Sequence, residues 1–166
     1  MRSVASLFVS RWDVAVKDSV APPLHDRLGI AVAQRAYHAY RDLLGSARWQ
    51  KLAKAGAQPQ RLLWGSTGTK DPAAPDTLYL QALAAPDTIN TIPEATLKAF
   101  ADHGQAEATM PVDGGDAEAV LEQFRRAGVD INALAEQLQR EGAASFSKSW
   151  QALLARIAEK TAQLAQ

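Results

Sequence analysis

The loop that carries Lys70 and the run that ends in Arg11 hold the side chains whose types best suit chemistry in this sequence. Residues 61–79, Arg-Leu-Leu-Trp-Gly-Ser-Thr-Gly-Thr-Lys-Asp-Pro-Ala-Ala-Pro-Asp-Thr-Leu-Tyr, drop from an apolar run into a small-residue loop carrying one lysine, Lys70. A strand ending in such a loop presents hydroxyls, backbone N–H groups and a cation together, which suits a phosphorylated or polyhydroxylated ligand. Residues 3–11, Ser-Val-Ala-Ser-Leu-Phe-Val-Ser-Arg, repeat the arrangement, an apolar run closed by a hydroxyl and a cation. From residue types alone, Arg11 reads first as an ion-pair partner of Asp13 or of another carboxylate, ahead of a ligand contact. Lys70, beside Asp71, reads as a ligand contact or as a solvated loop lysine.

The elements that must position these groups are strands, and strand signals are few. Residues 4–9 are short, apolar and mostly non-alternating, as expected of a parallel strand covered on both faces. Residues 62–64 are similar, and residues 88–92 are a weaker third candidate that stops at Pro93. Helical patterns fill the rest. Ile30, Ala33, Tyr37, Tyr40 and Leu44 form one stripe closing at Gly45, and Ser46 caps a short helix with Trp49, Leu52 and Ala53 that stops at Gly56. Strand, helices and strand make a parallel βαβ unit. Beyond Lys70 come Pro72, Pro75 and Pro86, with Asp76 expected to cap a short helix through Leu83. A helical tail over 94–164 follows: Pro93 at the entry with Leu97 and Phe100 buried before Gly104; a loop over 105–115; Val120, Leu121 and Phe124 closing at Gly128. Ile131, Leu134 and Leu138 are expected to close at Gly142, and Phe146, Trp150, Leu153, Leu154 and Ile157 to form a separate last helix. Asp116, Asp130 and Ser145 are the expected caps. Trp12, Trp49, Trp64 and Trp150 read as packing residues, and Arg125-Arg126 as a helix surface.

Composition narrows the function. A chain of 166 residues suits one domain. There is no cysteine, which excludes disulfides, thiolate nucleophiles and cysteine metal sites. His25, His38 and His103 are too scattered for a metal centre and read as surface or helix-end residues. Lysine plus arginine and aspartate plus glutamate each number 18, with no basic tract, which argues against nucleic acid as a partner. No apolar run nears the ~20 residues that span a bilayer. The first residues also lack an export signal, so the expectation is a soluble cytoplasmic protein with no membrane partner. A parallel sheet of three strands leaves its edges open and relies on one helical tail for cover. The pattern therefore reads as the end of something larger, and a start just before an apolar strand agrees.

Four stretches carry a family resemblance: residues 3–13, Ser-Val-Ala-Ser-Leu-Phe-Val-Ser-Arg-Trp-Asp; residues 48–72, ending Leu-Leu-Trp-Gly-Ser-Thr-Gly-Thr-Lys-Asp-Pro; residues 76–79; and residues 86–97, Pro-Asp-Thr-Ile-Asn-Thr-Ile-Pro-Glu-Ala-Thr-Leu. Together they resemble the carboxy-terminal part of transaldolases, specifically the bacterial subgroup also found fused to glucose-6-phosphate isomerase. The resemblance implies an α/β chain, the carboxy-terminal portion of a (β/α)8 TIM barrel, with residues 4–9, 62–66 and 88–92 as strands six, seven and eight. It implies a family that transfers a dihydroxyacetone unit from sedoheptulose 7-phosphate to glyceraldehyde 3-phosphate in the pentose phosphate pathway, without metal or organic cofactor. Such barrels build their sites at the carboxy ends of the strands, often with phosphate near strands seven and eight. Ser6, Phe8 and Arg11 match the family's Ser-x-Phe-x-x-Arg pattern, which makes Arg11 a phosphate binder, Ser6 a hydrogen-bonding partner of substrate and Phe8 a pocket wall. Ser66 and Lys70 stand where other members place a serine and a second phosphate-binding arginine. Asn90 lies beside the site and matches no defined role.

The departure concerns the nucleophile. The family reaction runs through a lysine Schiff base on the fourth strand, in a Lys-Ile-Pro-like segment, supported by an aspartate and a glutamate on earlier strands. No such segment is present; Lys17, Lys51, Lys54, Lys98, Lys148 and Lys160 read as helix or surface residues. The expectation is a partial barrel with part of the phosphate site, whose ligands are phosphorylated sugars. Its partner would be a missing amino-terminal barrel portion, or a second copy through self-association. A non-catalytic sugar-phosphate binding or assembly module is the rival expectation. A degraded reading frame, marked by aggregation through open strand edges, is the third.

Overall fold

Three parallel strands form where the apolar runs stand, in the order β1 (Ser3–Phe8), β2 (Gln60–Gly65) and β3 (Ile89–Asn90). The structure is a computed structural model that describes residues 2–105 and 109–164, and the chain divides into two compact units, Met1–Val129 and Asp130–Gln166. The register pairs Ser3 with Gln60 through Phe8 with Gly65, and Trp64 with Asn90. Each strand is shifted or shortened by a residue or more relative to expectation: Val9 and Ser66 have left the strands to start a helix and a turn, and Thr88 and Thr91 flank a two-residue β3.

The helices of the first unit are α1 (Ser10–Val16), α2 (Leu28–Gly45), α3 (Ala47–Lys54), α4 (Leu78–Ala82), α5 (Glu94–His103) and α6 (Ala117–Arg126), with a 3-10 turn at Pro22–Leu24. The stripe read from α2 is its buried face: Ala33, Tyr37 and Tyr40 pack with Val9, Trp64, Tyr79, Leu83 and Met110 into one cluster, joined by Leu7 and Leu62. Because side chains alternate along a strand, Ala5, Leu7 and Val9 meet the helices while Val4, Ser6 and Phe8 take the opposite face. On that second face Val4 is 41% exposed, and Ser6 and Arg61 are exposed as well. Parallel sheets are ordinarily covered on both faces. This one is well covered on one face only.

Several local expectations hold for the reasons given. Ser46 caps α3 by accepting the Trp49 N–H at 3.2 Å, and Gly56 at φ 92° follows that helix in the left-handed conformation glycine tolerates. The Asp130 carboxylate accepts the N–H groups of Asn132 and Ala133 at 2.9 and 3.0 Å. Others are corrected. Asp76 caps nothing; Thr77 precedes α4 without a side-chain cap, and Asp76 pairs instead with His103 at 2.9 Å. Asp116 precedes α6 but its side chain makes no capping bond. In the second unit Gly142 does not end a helix and Ser145 caps none, because α7 runs unbroken over Ile131–Leu164, 34 residues. One interior glycine costs a helix only about 1 kcal/mol relative to alanine, and Ala143 and Ala144 follow it. Trp150 is 58% exposed, so it is not a packing residue; Leu153, Leu154 and Ile157 share its exposed stripe. Trp12 and Trp64 are buried as expected. Part of the expected 105–115 loop, residues 106–108, lies outside the described residues. Among the described residues no helix is long and apolar enough to cross a membrane.

Candidate functional site

Parallel pairing continues beyond the strand ends and draws two loops together. The Val9 N–H donates to the Gly65 carbonyl at 2.9 Å, and the Ser10 N–H to the Ser66 carbonyl at 3.1 Å. Ser66 adopts φ 55°, the left-handed turn that ends β2, and its Oγ accepts the Ser10 hydroxyl at 3.2 Å. Arg11 follows in the first turn of α1, where its guanidinium lies 4.5 Å from the centre of the Phe8 ring. That stacking orients the planar cation over the carboxy end of β1 without using its N–H groups. No carboxylate is within ion-pair distance of Arg11 among the described residues, so the proposed pairing with Asp13 does not occur.

Asp13 is committed elsewhere. It is buried, and its carboxylate accepts the Tyr79 hydroxyl at 2.7 Å and the Gly29 N–H at 3.1 Å. Burial pushes the Asp13 carboxyl above the usual carboxylate range, with the Tyr79 and Gly29 hydrogen bonds opposing. Burial and the neighbouring Asp13 carboxylate hold the Tyr79 hydroxyl in its protonated, donating form. One helical turn further, Lys17 pairs with Asp71 at 2.9 Å. The Asp71 carboxyl is held below its ordinary range by the Ala73 N–H, which it accepts at 2.9 Å, and by Lys17.

Asp71 neighbours Lys70, which is exposed and whose ammonium lies over Gly68: a Cβ added to that glycine would sit 3.8 Å from Nζ. Lys70, Lys17 and Tyr79 help line a cavity of about 220 Å³ between α1, residues 25–26 and the second loop, whose walls also carry Asp13, Asp26 and Asp71 and do not include Arg11 or Ser66. Beneath the second loop, the fully buried Thr67 hydroxyl donates to Asn90 Oδ1 at 2.8 Å, and the Thr91 N–H donates to the Trp64 carbonyl at 2.9 Å. Asn90 thus has a definite place, tying β3 to the loop that carries Lys70.

Of the residues singled out from the sequence, Phe8 and Arg11 meet directly, Ser66 meets the turn before Arg11, and Lys70 lies within the loop between β2 and α4. Ser6 lies on the open face of β1, in line with Phe8. Asp13, expected to pair with Arg11, bonds Tyr79 and Gly29 instead, Lys17, read as a helix or surface residue, pairs with Asp71, and Thr67 and Tyr79 carry no expectation from the sequence. The usable signal was Ser10, Asp13 and Lys17 at helical spacing directly after a strand. Among the described residues no group of histidine and carboxylate side chains is placed to hold a metal ion. What the arrangement can do chemically is present two cations and a set of hydroxyls to an anionic ligand at the strand ends.

Comparison with known proteins gives the site a context. A family model described as transaldolase/fructose-6-phosphate aldolase matches residues 1–157. The transaldolase of Frankia alni is 46% identical over 168 residues, covering 96% of this chain and 45% of that protein. The transaldolase of Thermobifida fusca is 45% identical, covering 98% of this chain and 46% of its own length. That of Neisseria meningitidis serogroup C is 42% identical, covering 92% and 43%. The chain spans a little under half the length of these curated relatives.

Proposed function

Because this chain belongs to the transaldolase/fructose-6-phosphate aldolase family, we propose that it supplies the last three strands and the phosphate grip of a sugar-phosphate barrel. Arg11 and Lys70 hold the phosphate, Ser66 and Ser6 hydrogen-bond the ligand, and Phe8 walls the pocket. Strands from elsewhere cover the open face of the sheet and bring the lysine that condenses with the ketose carbonyl. The observation that carries this reading is the guanidinium of Arg11, stacked on Phe8 with no carboxylate in ion-pair distance among the described residues, just after β1 and beside the Ser10–Ser66 contact that leads into the loop of Lys70. A permanently charged fork held that way is suited to a phosphate oxygen pair.

The chemistry expected of the complete barrel is transfer of a dihydroxyacetone unit between phosphorylated sugars through a Schiff base. A Schiff-base lysine is activated by removal from water. Every lysine of this chain is exposed, which favours a chain that binds substrate but leaves the covalent step to residues outside it. The same observation supports the second reading, a binding or assembly module with no chemistry of its own.

The test is calorimetric titration of fructose 6-phosphate into the chain, with Arg11→Ala and Lys70→Ala beside it, together with borohydride trapping in the presence of sedoheptulose 7-phosphate and glyceraldehyde 3-phosphate. Binding that each substitution weakens, with no trapped lysine, is the expected result. Sustained turnover with borohydride-trapped sugar on a lysine of this chain alone would refute the division of labour. Restored turnover on adding the amino-terminal portion of a relative separates the partial barrel from the module.

A further inference from the structure

We propose that α1 is a brace: its face bearing Ser10, Asp13 and Lys17 ties the turn that carries Arg11 to the loop that carries Lys70, and sets the spacing at which the two cations grip one phosphoryl group. The inference rests on the phosphate reading above and adds positioning residues to it.

The geometry is specific. Residues 10, 13 and 17 fall on one side of a helix, since neighbours on a helical face recur at three and four. Each reaches across to the segment after β2: Ser10 to Ser66 at 3.2 Å, Asp13 to Tyr79 at 2.7 Å, and Lys17 to Asp71 at 2.9 Å. The partners at 66, 71 and 79 bracket Lys70 along the chain. Arg11 lies between the first two brace residues but turns onto Phe8, so the brace consumes none of its donors. Seven residues make too short a helix to hold shape unaided, and α1 has no side-chain N-cap. Its orientation therefore comes from the buried side chains of Trp12 and Val16, from these cross-links and from the Gly29 N–H on Asp13. The strand pairing, the packing of Val9 with Trp64 and Tyr79, and these contacts hold the two loops in register. Charge-assisted hydrogen bonds to phosphate are short and lose strength as donors drift, so the spacing of two cations on separate loops must be held for both to serve.

Asp71 separates this account from a purely electrostatic one. Taking a carboxylate away from beside a phosphate site tightens anion binding if only the field matters. It weakens binding if Asp71 acts through Lys17 to hold Lys70 in place. Asp71→Asn keeps an acceptor for the Ala73 N–H and loses the ion pair. Tyr79→Phe removes no charged side chain, only the hydroxyl that reaches Asp13.

The experiment titrates fructose 6-phosphate and, separately, inorganic phosphate into the full chain by calorimetry, with the folded fraction of each variant checked by circular dichroism. Both substitutions are expected to weaken binding about two- to five-fold, the scale of a partly exposed ion pair or one hydrogen bond. Lys17→Met should do the same and Lys17→Arg should restore the affinity. Combining Lys17→Met with Asp71→Asn should lose no more than either alone. If Arg11→Ala and Lys70→Ala weaken binding while Asp71→Asn binds equally or more tightly, the brace is overturned and the phosphate site stands. Absence of phosphate binding in the unaltered chain overturns the site and the brace together.

Discussion

Gly29→Ala is the substitution at which two physical arguments give opposite signs. Gly29 is the second residue of α2, and helix propensity alone says that alanine there stabilises, by up to about 1 kcal/mol. The surroundings say otherwise. A Cβ at position 29 would lie 2.5 Å from the Val9 carbonyl oxygen and 2.6 Å from Asp13 Oδ2, distances that side-chain carbons do not tolerate. The Val9 carbonyl is not free to retreat, because it accepts the Trp12 N–H at 3.2 Å and its own residue's N–H is bonded to Gly65. Forcing α2 away costs about 1–3 kcal/mol of overpacking. It also stretches the 3.1 Å bond from the Gly29 N–H to the buried Asp13 carboxylate, worth a further ~1–3 kcal/mol when a buried acceptor loses its donor. Subtracting the propensity gain leaves a net destabilisation of about 3 kcal/mol. Urea unfolding should show it as a lowered midpoint at unchanged slope. Gly45→Ala, in the last turn of the same helix with nothing within 4 Å of the added carbon, is the control and should be neutral or slightly stabilising. Equal or greater stability of Gly29→Ala would show that α1 and α2 do not meet through this glycine, and would remove the support described for Arg11.

Tyr40→Phe should cost nothing and can gain about 1 kcal/mol, because the buried Tyr40 hydroxyl has no hydrogen-bond partner among the described residues; a clear loss in thermal unfolding would reveal a partner. Asp13, whose folded carboxyl titrates above the ordinary 3.8, contributes stability that is complete below that value and lost as pH rises through the folded pKa. Asp13→Asn should flatten that decline in Tm measured against pH, and an unchanged profile would contradict it. His103 is raised above its ordinary 6.5 by its bonds to Asp76 and Asp102, so its contribution is complete below 6.5 and is lost as pH climbs through the folded pKa. Its proton NMR titration should have a midpoint above 6.5 that Asp76→Asn lowers.

Patterns that repeat within a few residues were legible in the sequence, because a strand or an amphipathic helix is encoded by its own spacing. The apolar runs became β1 and β2, the stripe from Ile30 to Leu44 became the buried face of α2, and Ser46 and Gly56 bound α3 where their chemistry said. The positions of Arg11, Ser66 and Lys70 at strand ends followed from the same runs, and the family resemblance from the residues around them. Gly142 was misread because a local propensity of about 1 kcal/mol was given the authority to end a 34-residue helix.

What only the tertiary structure decided was which charge meets which. Asp13 stands two residues from Arg11 in sequence, yet the helical turn of α1 sends the carboxylate inward to Tyr79 and Gly29 and the guanidinium outward over Phe8. Asp71 adjoins Lys70 but pairs with Lys17, and Asp76, just ahead of α4, meets His103 instead of capping that helix. These partners depend on the parallel register of β1 on β2, set by pairs such as Leu7 with Trp64 between segments far apart in the chain. A sequence states which side chains are available for pairing. Burial and register choose among them, because an ion or hydroxyl removed from water must be satisfied by whatever the packed neighbours present.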